Sequence, residues 1–158
     1  MEQQFLEAAL SRAIQVSVES RAHGNHPFGA VLVAPEGTIV LEAENTVNTD
    51  HDVTGHAETN LVSRASRSIR RSELANLTLV TSCEPCAMCS GAIYWSGISR
   101  VVYGLSEAGL KNRTGNHPDN PTLSHPCRLV FADGSRHITV VGPLMEDEAA
   151  VAHEGFWN

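Results

Sequence analysis

A chain of 158 residues with a formal net charge of −7 and 42% hydrophobic residues is long enough for one domain with its own core, expected over 1–158. Its eleven basic residues, of which only Lys111 is lysine, do not form the basic footprint of a nucleic-acid binder. No apolar run approaches the roughly 18 residues of a membrane span. Met1-Glu2-Gln3-Gln4 does not read as a secretory leader, so a cytoplasmic protein without a membrane partner is expected. Cys83, Cys86 and Cys89 crowd one stretch and Cys127 stands apart, unlike the spread cysteines of a disulfide framework.

The spacing of Leu6, Leu10, Ala13 and Ser17 predicts an amphipathic helix over 2–21, ended by Gly24-Asn25-His26-Pro27. Residues 29–34 form a short apolar run and read as a buried strand. Pro35-Glu36-Gly37 turns the chain, and 38–44 pair back as a hairpin. A polar loop covers 45–55. From His56, the four-residue recurrence of Ala57, Leu61, Ala65 and Ile69 predicts about four helical turns. Arg64, Arg67 and Arg71 read as a solvated face. A strand over 77–82 and a helix over 86–97 follow, with Pro85 in the first-turn position. Another strand covers 100–104. Residues 105–136 are rich in Gly, Pro, Asn and His and read as a long loop, a lid or pocket wall with a little local structure. A last strand over 137–142 and a helix over 146–153 complete the chain, with Phe156 and Trp157 beyond. This order predicts an α/β fold: three layers, α-β-α, around a mixed five-stranded sheet with helices on both faces.

The chemistry lies in two short motifs. His56-Ala57-Glu58 is followed thirty residues later by Pro85-Cys86-Ala87-Met88-Cys89. One imidazole and two thiolates make a three-ligand zinc set with the fourth position open, the pattern of a catalytic site. Cys86 and Cys89 are three apart at a helix start, hence on one face, where the helix dipole favours thiolates. Zn²⁺ in such a set acidifies water to a pKa of about 7. Glu58 is placed to take that proton and deliver it, first to a ring nitrogen and then to the departing amine. The expected reaction is hydrolytic loss of an exocyclic amine from an aromatic ring. Two other readings stay open: a redox Cys-x-x-Cys pair, and a structural zinc with Cys83 as fourth ligand.

The His-x-Glu and Pro-Cys-x-x-Cys pair resembles the signature of zinc-dependent base deaminases. Residues 26–104 resemble the cytidine-deaminase superfamily, in the branch of guanine deaminases, fungal cytosine deaminases and tRNA adenosine deaminases. Pro27-Phe28-Gly29-Ala30-Val31 is similar to the family's first strand. The run from Thr81 to Trp95, and that from Asn45 to Asp52, are especially similar to bacterial guanine deaminases. The resemblance implies that Phe28 stacks near the base, Asn45 orients it, and the Ala57 N–H donates to a ring carbonyl. It further implies that Trp95 shapes the pocket, with Phe156 from the tail. Plain core packing for Phe28 and Trp95, and a turn role for Asn45, stay open. The sequence departs from guanine deaminases after Glu107-Ala108-Gly109, where Asn112 takes the position of a second acidic residue.

Three functions follow. The first is a deaminase of a free nucleobase or related amino-heterocycle (guanine-, cytosine- or amino-triazine-like), a small-molecule partner rather than a nucleic acid. The second is a tRNA adenosine or nucleoside deaminase, against which the acidic tail Met145-Glu146-Asp147-Glu148 speaks. The third is a non-catalytic zinc module, against which Glu58 speaks. The family resemblance also implies a homodimer, with the tail packed on its own chain or exchanged. His117 and His125 lie in the long loop without an assigned role.

Overall fold

Gly29–Val33 and Thr78–Cys83, two strands without a charged residue, are buried along their whole length and sit side by side within one sheet. The computed structural model describes residues 1–115 and 117–158. Its elements are α1 (Gln3–Ala22), β1 (Gly29–Val33), β2 (Ile39–Glu44), α2 (Val47–Asp50), α3 (Ala57–Ser68), α4 (Arg71–Leu74), β3 (Thr78–Cys83), α5 (Ala87–Ser96), β4 (Arg100–Leu105), α6 (Glu107–Thr114), α7 (Cys127–Ala132), β5 (Thr139–Val141) and α8 (Glu146–Ala150), then a 3-10 turn at Val151–His153.

The sheet has five strands in the order β2-β1-β3-β4-β5. β1 is antiparallel to both β2 and β3, whereas β3, β4 and β5 run parallel. The expected hairpin, mixed sheet and three layers are therefore present. One face packs Val31, Val33, Val80 and Val102 against Leu6, Ala9, Leu10 and Ala13 of α1. The other packs Ala30, Leu32, Leu79 and Val101 against Leu61 and Ala65 of α3, Ile93 of α5 and Phe131 of α7. Each fully buried leucine contributes on the order of 1.5–3 kcal/mol. Gly29 marks the tightest approach: a Cβ there would lie 2.5 Å from the Ala13 carbonyl oxygen. Only glycine lets α1 lie this close to β1.

This topology gathers the chemistry at one edge. β3 and β4 end there, β1 begins there because it runs the other way, and β2 returns there, pairing Glu44 with Gly29. Phe28, Asn45, Glu84, Cys86 and Glu107 are thereby neighbours, although they span eighty residues of sequence.

The stretch over 105–136, expected as a lid or pocket wall with a little local structure, is more ordered than that. It contains α6 and α7, each short and without a clear apolar period. Ser106 caps α6 by accepting from Gly109 N at 3.0 Å. Glu84 accepts from Glu107 N at 2.9 Å and from Cys127 N at 3.1 Å, so one carboxylate starts both helices. The loop over 45–55 likewise holds the single turn α2. Among the described residues, no helix is long and apolar enough to cross a membrane.

Candidate active site

His56 is the residue that starts α3 and Cys86 the residue that starts α5, both with extended backbones. Their side chains face each other across the strand edge, with Cys89 one helical turn further on. His56 Nδ1 lies 3.6 Å from Cys86 Sγ and 3.5 Å from Cys89 Sγ. A tetrahedral zinc with Zn–S of about 2.3 Å and Zn–N of about 2.0–2.1 Å requires an N···S separation of about 3.6 Å. The three donors, which all lie within 4.8 Å of one another, therefore fit zinc. A bond from Cys89, followed by that from His56, holds the Cys86 thiol down at about 4 against the opposing effect of burial. A ready thiolate is what a cation needs.

Glu58 follows on the first turn of α3 and is only 4% exposed. Its Oε1 accepts from Thr81 Oγ at 2.6 Å, and its Oε2 lies 3.5 Å from Cys89 Sγ. Burial pushes its carboxyl up, opposed by the Thr81 bond. A carboxyl raised in this way holds a proton more readily than an exposed one, as an alternating general base and acid requires.

A cavity of about 440 Å³ opens over this set, lined by Phe28, Asn45, His56, Glu58 and Cys86. Asn45 is 1% exposed, and its Oδ1 accepts from Val47 N at 3.0 Å. That leaves its Nδ2 as the group turned to a ligand. Ala57 is fully buried at the start of α3, where the helix cannot pair its own first amides.

Two expected pocket residues lie elsewhere. Trp95 is 73% exposed, edge-on to Tyr94, because α5 turns Ile93 into the core and Trp95 stands about 200° further round the helix. Phe156 lies outside the cavity lining, against His26 and under the Arg21 guanidinium. The inward position is taken by Trp157, whose Nε1 donates to His153 Nδ1 at 3.0 Å. His153 in turn sits edge-on to Phe28 with ring centres 5.2 Å apart. The tail packs on its own chain, with Arg21 Nη1 donating to the Ala152 and Glu154 carbonyls.

Sequence reasoning did not single out His26, Val47, Asn48, Val53 or Glu84 of the wall, whereas Glu107, Leu110 and the lip Pro118–Pro121 fall within the stretch expected as a lid or pocket wall. Glu84 lay in plain view inside Cys83-Glu84-Pro85-Cys86, a charged residue where the strand meets the helix. His117 lies outside the lining and braces the lip, its ring 5.5 Å from Trp157. His125 and Asn112 are exposed and do not line the cavity.

The family described as the cytidine and deoxycytidylate deaminase zinc-binding region matches residues 3–105. The Schizosaccharomyces pombe protein named probable cytosine deaminase is 45% identical over 151 residues, covering 96% of this chain and 91% of its own. The guanine deaminase of Bacillus subtilis is 42% identical over 110 residues, 66% of this chain and 70% of its own. The solved guanine deaminase of Nitrosomonas europaea shares the fold, with a TM-score of 0.74 at 23% identity over 93% of this chain and 81% of that one. With His56, Cys86 and Cys89 set for zinc and Glu58 beside them, the chain belongs to the zinc-binding cytidine and deoxycytidylate deaminase family.

Proposed function

We propose that this protein is a zinc-dependent hydrolase that removes an exocyclic amine, as ammonia, from a free nucleobase or a related amino-heterocycle. The observation that carries the proposal is the buried Glu58, pinned by Thr81 beside the metal ligands, under a cavity of about 440 Å³. That volume suits a small planar ring. No lysine or arginine stands among the described lining residues, whereas Glu58, Glu84, Glu107 and Asp119 do. A phosphate finds no partner there, which weakens the tRNA reading and favours a neutral ring. The names of the cytosine and guanine deaminase relatives agree with this choice.

Zinc held by His56, Cys86 and Cys89 supplies the Lewis acidity that makes water nucleophilic at neutral pH. The remaining work belongs to the chain. Glu58 takes a proton on a carboxylate oxygen, gives it to a ring nitrogen, and carries a second to the leaving amine. Thr81 keeps Oε1 in place throughout. Asn45 Nδ2 donates to a ring acceptor, the Ala57 N–H donates to a ring carbonyl, and Phe28 stacks on the ring with His153 behind it. Trp95 and Phe156 have no contact with the ring in this arrangement.

The chain acts as a single cytoplasmic domain and as a homodimer in this reading. Met88 and Trp95 stand exposed along α5 beside the metal ligands, with open space over Gly91, and offer an apolar face to a second copy. Glu58→Gln tests the mechanism. Zinc stays near one per chain by elemental analysis, while ammonia release falls about 10²–10⁴-fold. Unchanged turnover would remove Glu58 from the chemistry.

A further inference from the structure

Among the described lining residues, Glu107 is the half-buried carboxylate that the chemistry above leaves unused. It is the first residue of α6, and its backbone is fixed from both sides. Its N–H donates to Glu84 Oε2 at 2.9 Å, and the preceding Ser106 donates through both N and Oγ to Glu146 Oε2 at 3.0 Å. The carboxylates around it contrast with it. Glu84 is satisfied by two backbone amides and Glu58 by Thr81. Among the described residues none donates to the Glu107 side chain, although it lines the cavity. A carboxylate held by a rigid backbone, partly out of water and without a donor, is an acceptor built for a ligand.

We propose that Glu107 is a specificity residue that accepts a hydrogen bond from a second N–H of the substrate ring, distinct from the amine that leaves. The preferred substrates are then rings that keep a free N–H, such as the nitrogen that bears the sugar in a nucleoside. A ring substituted at that nitrogen brings no donor and leaves the carboxylate unpaired. Burial, then the nearby Cys86 and Glu84, push the Glu107 carboxyl up to about 7. Its ionised form gains from any donor a ligand brings. Asp119, on the exposed lip of the same cavity, is open to water and has no such need.

This assignment rests on the deaminase reading, and one set of assays separates the two. The zinc-loaded wild type and the Glu107→Gln, Glu107→Asp and Asp119→Asn variants are assayed for ammonia release. The substrates are cytosine against 1-methylcytosine and guanine against 9-methylguanine. Wild type prefers the unmethylated ring. Glu107→Gln reduces that preference about tenfold to a hundredfold, through KM more than kcat, with zinc content and Tm retained. Glu107→Asp, which keeps the charge at the start of α6, lies between them and serves if the glutamine variant is unstable. Asp119→Asn changes the preference less than about twofold, within ordinary rim effects. An undiminished preference in both Glu107 variants, or a larger effect from Asp119→Asn, overturns the assignment while leaving the deaminase intact. Silence of the wild type on every free ring overturns the deaminase reading and this assignment with it.

Discussion

The two halves of the cavity are built in opposite ways. The metal half, His56 to Cys89, is set by short-range chemistry: two helices each begin on a ligand, and the ligand spacing is written in consecutive residues. The facing half, from Ser106 to Pro121 with the tail behind it, is set by distant anchors. Glu84 reaches forward 23 and 43 residues to start α6 and α7. His153 reaches back to Cys83 at 3.4 Å and holds Trp157 in place. The first half can be read and the second has to be seen. The proposed chemistry lies on the rigid motif and the proposed discrimination by Glu107 on the anchored wall.

Glu84→Ala is the strongest way to break that contrast. Two backbone amides lose a charged acceptor at once, for a loss of about 3 kcal/mol or more. Hydrogen exchange should rise in α6 and α7, with α3 unchanged and zinc still near one per chain. Loss of zinc with both helices intact would show the halves to be coupled rather than separate.

Acid should loosen the wall before the metal motif's core. Burial, with Arg113 and Arg21 adding to it, lowers His153 to about 4. Its folded state stays neutral while the unfolded imidazole protonates near about 6.5. The stability held at pH 7 is therefore lost as pH falls from about 6.5 toward 4, by up to about 3 kcal/mol. Cys83, Phe28 and Trp157 pack against the ring and supply no compensating negative charge. Urea unfolding across this range should be steeper in pH for wild type than for His153→Gln. Equal slopes would acquit His153.

The smallest effect is expected from Trp95→Ser. Monomer stability should move within about 0.5 kcal/mol and KM within about twofold, because the indole faces solvent. In the proposed homodimer this variant should sediment nearer the monomer than wild type does. A tenfold rise in KM would return Trp95 to the pocket.

The same contrast explains what the sequence reveals. His56, Glu58, Cys86 and Cys89 announce themselves by residue type and spacing, and the two buried strands by short runs without a charged residue. Helices α6 and α7 are set instead by Ser106 and by Glu84, whose two bonds cross long stretches of chain and leave no local pattern. In α5, Ala87, Met88, Ala92, Ile93 and Trp95 spread apolar residues round the helix, so nothing in the sequence says which of them turns inward. At the tail, Phe156 and Trp157 differ by one position, and the choice is made by the indole N–H finding His153.

Ammonia release by the zinc-loaded protein over guanine, cytosine, adenine, amino-triazines, their nucleosides and tRNA tests the central claim most directly. Release from at least one free ring is the predicted result. Silence on every free ring, with turnover of a nucleoside or of tRNA, would contradict it.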